Sequence, residues 1–234
     1  MIQSTALLDP ARLDRPDSNT LVVREPFPFM VAHGQLPETA RADLDRDFPR
    51  YSGAGFFPYE PKDCGPSIRA LVDALTSPGF AGAVGARLGI DDLGRYPTLV
   101  TICRSLNKRH GTIHTDSRSK IATALLYLNE RWPDTSDGCL RFLRRIDSID
   151  DLVAPEIKPL YGEFAVFKRT DNSFHGHLPY EGERRVIQVA WLTSEEEKLR
   201  KTRRGRFSRF FKKLLGGIDR KYGAGRERDA VHMD

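Results

Sequence analysis

Six residues in three groups could do chemistry together: His114-Thr115-Asp116, then His175, then Arg184-Arg185. Two imidazoles and one carboxylate can hold a ferrous iron on one triangular face and leave the remaining positions open. An arginine further along can grip the far carboxylate of a keto-acid that chelates such an iron, because its planar fork matches a carboxylate. His114 and Asp116 are two apart, so on an extended segment they project to the same side. The third ligand must then come from another strand. His175 and His177 both qualify, and geometry does not choose between them, since they too share a face. Neither element is specific alone, because a single downstream histidine is ordinarily a hydrogen-bonded structural residue. The combination with the arginine is what carries weight.

Such ligands need strands to present them, and the chain changes rhythm where strands are required. From about residue 97, the runs TLVTICRSL, KIATALLYLN, CLRFLRR, EFAVFKR and RVIQVAWL are short and rich in β-branched and aromatic residues. Polar or Gly/Pro segments separate them. A string of strands without helical alternation favours an antiparallel sandwich or jelly roll over a doubly wound sheet. Upstream, LVVREPFPFMVAHGQL reads as a strand and a turn, and Pro37 opens a helix, PETARADLDRDFP. Residues 51–65 carry Gly53, Gly55, Pro58, Pro61 and Gly65 and are expected to form a long loop. Ile68, Leu71, Val72 and Leu75 follow at helical spacing, and PGFAGAVGARLGI gives a further short helix.

Residues 97–192 resemble the iron(II)- and 2-oxoglutarate-dependent dioxygenases, in particular their prolyl-4-hydroxylase-like branch. The resemblance lies in HTD at 114–116, LLYLNERW at 125–132, DGCLRF at 137–142, PLYGEFAVF at 159–167, SFHGHLP and RRVIQVAW. It implies a mainly β fold with flanking helices: a double-stranded β-helix (cupin-like jelly roll) over about 97–193, with N-terminal support helices, inside a domain spanning 20–197. It implies that His114, Asp116 and His175 are the iron ligands. His175 is preferred to His177 because the family's ligand is followed at +2 by an apolar residue and at +4 by Pro, here His177 and Pro179. Two departures stand out: His177 occupies that apolar position, and Cys139 replaces the second glycine of a Gly-Gly turn. Tyr127 matches a tyrosine that helps hold 2-oxoglutarate. Arg185 lies six residues before Trp191 and alternates with Ile187, Val189 and Trp191, so it is preferred for the distal carboxylate, with Arg184 as the alternative. The implied reaction consumes Fe(II)-bound 2-oxoglutarate and O2, with ascorbate as an accessory reductant, and hydroxylates a prolyl side chain, a sugar or glycan, or a small metabolite. The carboxylate of Asp116 favours hydroxylation over halogenation. A non-catalytic binding module of the same fold, or a metal enzyme that dispenses with 2-oxoglutarate, are the competing readings.

The net charge of +5 over 234 residues is unevenly spread. Residues 198–228 hold 13 Lys/Arg against 2 Asp/Glu, which leaves the remainder acidic by about 6. The basic pI therefore describes the tail, 198–234, and is no argument for a nucleic-acid-binding core. Within it, RRGRFSRFFKKLL at 203–215 has Phe207, Phe210, Phe211, Leu214 and Leu215 at helical spacing among cations. Such a short amphipathic helix suits the protein's own barrel, an anionic membrane surface or an acidic partner, and nucleic acid less well. Three widely spaced cysteines without CxxC pairing suggest reduced thiols in a cytoplasmic setting. The first residues carry no basic start or long apolar run, so no signal peptide is expected, and a peripheral membrane position would come only through the tail.

Overall fold

Runs rich in β-branched and aromatic residues, buried almost continuously along the central strands, organise this chain. The computed structural model describes residues 7–14 and 20–203. The amphipathic segment expected at 203–215 lies, but for its first residue, outside the described residues. Nine strands form: β1 Thr20–Val23, β2 Phe29–Ala32, β3 Phe56–Pro58, β4 Thr98–Leu106, β5 Lys120–Tyr127, β6 Arg141–Phe142, β7 Phe164–Lys168, β8 His175–Gly176 and β9 Gly182–Leu192. Seven make an antiparallel sheet in the order β1-β2-β7-β5-β9-β4-β3, and β6 pairs with β8 in a small second sheet. The result is mainly β, as the sequence implies.

The central strands β2, β7, β5 and β9 have two buried faces. One face, with Ala124, Leu126, Val166, Ile187, Val189 and Trp191, packs on helices α2 (Pro66–Leu75) and α3 (Pro78–Leu88). The other, with Leu125, Tyr127, Ala165, Phe167 and Val186, packs on Phe142, Leu140 and Ile157 from the small-sheet side. Residues i and i+1 on one strand thus enter different cores.

The helices form where expected, for local reasons. In α2, Pro66 stands at the first turn and Ile68, Leu71, Val72 and Leu75 are the buried stripe. Asp47, at the end of α1 (Arg41–Asp47), reaches across to cap α2: its Oδ2 accepts from the Ser67 N–H at 2.8 Å. Gly65 must be glycine there, since a Cβ would lie 2.3 Å from the Asp47 Cγ. In α3, Ser77 Oγ accepts from the Phe80 N–H and Gly89, at φ +64°, ends the helix.

Three expectations need correction. The stretch 21–36 is two paired strands, not one strand and a turn. The loop at 51–65 contains β3, which pairs with the sheet edge at β4; short edge strands tolerate the Pro58 that marks a break elsewhere. In CLRFLRR only Arg141 and Phe142 are strand. No helix among the described residues is long and apolar enough to cross a membrane.

Trp191 is 1% exposed between sheet and helices. Trp191→Ala should therefore lower unfolding stability by about 3–5 kcal/mol in a urea titration; a loss under about 1 kcal/mol would show that the sheet–helix seam is not the main core.

Candidate active site

The site begins with a main-chain pairing. His114 N–H donates to the His175 carbonyl and His175 N–H donates back to His114, both at 3.0 Å. This reciprocal antiparallel bridge sets the two imidazoles side by side, with ring centroids 4.4 Å apart. Asp116, two residues on, points to the same place. One ligand atom from each of His114, Asp116 and His175 lies within 4.8 Å of the others, which is the only such group of metal-binding types among the described residues.

Each imidazole is fixed by the carbonyl two residues before it. His114 Nδ1 lies 2.8 Å from Thr112 O, and His175 Nδ1 lies 2.9 Å from Ser173 O. A carbonyl only accepts, so Nδ1 carries the proton in both rings and Nε2 keeps its lone pair. Metal-binding histidines are oriented by this kind of outer bond. Burial, together with repulsion from His114, pushes the His175 pKa down to about 3, so this imidazole is a neutral donor at physiological pH. The Asp116 carboxylate accepts from Lys120 Nζ at 2.7 Å and from Thr123 Oγ at 2.5 Å. Burial alone would raise its pKa, but Lys120, His175 and His114 outweigh that and hold it well below the usual carboxylate range. Two imidazole nitrogens and one ionised carboxylate, converging in a largely buried place, are a donor set that fits Fe(II).

Arg184 and Arg185 go opposite ways. Arg184 is 2% exposed, on the same sheet face as Tyr127. Its Nε donates to Gly138 O at 2.8 Å and its Nη2 donates to the Tyr127 hydroxyl at 3.1 Å. No carboxylate pairs with it among the described residues. Arg185 lies on the helix side, paired with Asp45 and Glu183 and near the Phe48 ring. The expectation for Arg185 is therefore corrected. It does share a face with Ile187, Val189 and Trp191, but that face packs on the helices. Apolar alternation marks a buried face without saying which, and here both are buried. Tyr127 sits on the face of Arg184, and burial raises its pKa so that it stays a neutral hydroxyl.

His177 lies beside the site, not in the three-residue group. Its Nδ1 is 2.8 Å from Leu178 O. Burial first, then Arg184, lower its pKa to about 4. Sequence reasoning missed Lys120 and Thr123. The i+4 spacing of Lys120 from Asp116 was the available signal, and Thr123 alternates with Leu125 and Tyr127 toward the same side.

His114→Ala should leave the protein folded by circular dichroism and lower Mn(II) affinity, read by electron paramagnetic resonance, at least about 100-fold. Asp116→Ala should do the same and also cost about 3 kcal/mol of stability, because it strands the half-buried Lys120 ammonium. Unchanged Mn(II) binding by either variant would remove the metal site.

Residues 100–193 match the family model of the 2OG-Fe(II) oxygenase superfamily. No curated protein matches the chain. Among solved structures, a prolyl-4-hydroxylase from Pseudomonas putida aligns with a TM-score of 0.51 at 20% identity, covering 72% of this chain and 94% of that one. A Trichoplax adhaerens prolyl hydroxylase, solved with a hypoxia inducible factor peptide fragment, aligns at TM-score 0.49 and 16% identity over 73% and 86% of the two chains. The viral collagen prolyl hydroxylase of Paramecium Bursaria Chlorella virus-1 aligns at 0.47 and 16%, over 70% and 94%. At 20% identity the likeness to the Pseudomonas putida protein speaks for the fold alone. The match over 100–193 spans β4 to β9 and all three converging residues, so over that segment the chain is similar to the 2OG-Fe(II) oxygenase superfamily.

Proposed function

We propose that the chain is a hydroxylase that couples oxidation of 2-oxoglutarate to hydroxylation of a second substrate. The balance is 2-oxoglutarate, O2 and a C–H bond giving succinate, CO2 and a C–OH bond. The single observation that carries this reading is the Arg184 guanidinium: 2% exposed, hydrogen-bonded only to neutral groups, and without an anion among the described residues. A buried, uncompensated charge is costly. A ligand carboxylate would supply the missing partner, and a keto-diacid is the ligand that brings one.

Each residue then has a defined task. His114 Nε2, Asp116 and His175 Nε2 would hold Fe(II), which supplies the dioxygen and keto-acid chemistry when bound. Lys120 and Thr123 hold the Asp116 carboxylate in one orientation and keep it ionised. Arg184 would take the distal carboxylate, since Nε and Nη2 are engaged but other N–H donors remain. Tyr127 accepts from Arg184, so its own O–H proton is available to the same carboxylate. Phe167, its ring tilted against that of His175 at 4.4 Å, and Phe142 behind it keep bulk water from the inner side. The hydroxylated substrate is a prolyl side chain, a sugar or a small metabolite. The first is favoured by what the names of the solved neighbours describe.

The test is succinate formation from 2-oxoglutarate with Fe(II), O2 and ascorbate, followed by NMR. Arg184→Met should raise the KM for 2-oxoglutarate about 100-fold or more. Arg185→Met should stay within about threefold, because that side chain serves the helix side. The reverse ranking would contradict the assignment. A wild-type protein that binds Mn(II) but consumes no 2-oxoglutarate would favour a binding module or an enzyme that does not use this keto-acid.

A further inference from the structure

Arg184 is placed by a device outside the residues assigned to the reaction so far. An arginine side chain is long and freely rotating, and holding it in one rotamer costs conformational entropy. Its anchor here is a carbonyl: Nε donates to Gly138 O at 2.8 Å. How firmly Arg184 is held therefore depends on how firmly Gly138 is held.

Gly138 is clamped. Its N–H donates to Leu178 O at 3.1 Å. Its φ of +73° is one that a residue with a side chain rarely adopts. A Cβ on it would lie 2.9 Å from Trp132 Cζ2 and 2.9 Å from Tyr180 Cγ, so the glycine sits directly against both rings. The rings also pack on each other, with centroids 4.5 Å apart and planes at 36°. Tyr180 reaches the other end of the arginine as well. A Cβ on Gly182, two residues before Arg184, would lie 2.9 Å from the Tyr180 hydroxyl oxygen. One side chain thus bears on the start of β9, which carries the Arg184 backbone, and on the residue that receives its guanidinium.

We propose that Trp132 and Tyr180 are positioning residues that set the length of keto-diacid the site accepts, by clamping Gly138 and through it Arg184. This rests on the co-substrate reading above. A diacid must span two points, the metal group and the guanidinium, so one methylene more or less misplaces an end. Against an immobile partner such a misfit is worth about tenfold or more in affinity. A guanidinium released from its clamp follows the carboxylate instead. It then holds the right diacid less well and rejects the wrong one less strongly.

The experiment is calorimetric titration of the Mn(II)-loaded full chain with 2-oxoglutarate and with 2-oxoadipate, its homologue one methylene longer. Wild type should bind 2-oxoglutarate about tenfold or more tightly. Trp132→Ala and Tyr180→Ala should each narrow that ratio at least about threefold, with Mn(II) affinity unchanged. Tyr180→Phe, which keeps the ring, should hold the ratio within about twofold of wild type. A ratio that moves in neither alanine variant would overturn the inference, as would a Tyr180→Phe variant that narrows it as far as Tyr180→Ala. So would a wild type that binds both diacids equally. Loss of Mn(II) binding in both alanine variants would also overturn it, by making the rings supports of the fold and not of Arg184. If wild type binds neither diacid or prefers 2-oxoadipate, the co-substrate reading itself fails, and the two failures are told apart.

Discussion

Two main-chain hydrogen bonds between His114 and His175 hold the site together. These residues are about sixty positions apart, and closing a loop of that length costs entropy that only native contacts return. The bridge converts that long separation into neighbouring imidazoles. Everything near it serves the approach of two backbones: a Cβ on Gly176 would lie 3.0 Å from Gly111 O, and one on Gly111 would strike the His177 ring. The carbonyls of Thr112 and Ser173 then engage Nδ1 of each imidazole, which leaves Nε2 as the nitrogen available to a metal. The large sheet contributes indirectly. It fixes β5, which carries Lys120 and Thr123 against Asp116, and β9, which carries Arg184.

The two buried charges of the site are treated in opposite ways. Asp116 is compensated: Lys120 and Thr123 occupy its oxygens, and it stays ionised despite burial. Arg184 is not compensated by any anion among the described residues. Protein interiors tolerate a lone guanidinium only at a cost, and that cost is reduced when an anion arrives. A carboxylate bound to Arg184 at one end would direct the remainder of a keto-acid toward the His114–Asp116–His175 group at the other. Binding energy gained away from the reacting atoms then goes into positioning.

Much of this was legible in the residues, for identifiable reasons. Strands β4, β5, β7 and β9 announce themselves through β-branched and aromatic runs, and α2 through Ile68, Leu71, Val72 and Leu75 at helical spacing. His114-x-Asp116 is visible because one residue of separation suffices on extended backbone. The arginine was not legible. Strand alternation separates Arg184 from Arg185, but β9 is buried on both faces, so hydrophobicity points equally to either side. Only the packing of α2 and α3 against Ile187 and Trp191 decides it. Strand β3 hides in a Gly/Pro-rich stretch because an edge strand needs few paired N–H groups. Lys120 and Thr123 were missed because their role depends on how the 117–119 turn brings β5 back to Asp116, and no local pattern encodes that.

The most direct test of the account is an anaerobic crystal structure of the full chain with Mn(II) and 2-oxoglutarate. It should place the metal on His114 Nε2, Asp116 and His175 Nε2, with the far carboxylate of the keto-acid on Arg184 and Tyr127. A metal held by His177 in place of His175, or a carboxylate bound at Arg185 on the helix side, would contradict it.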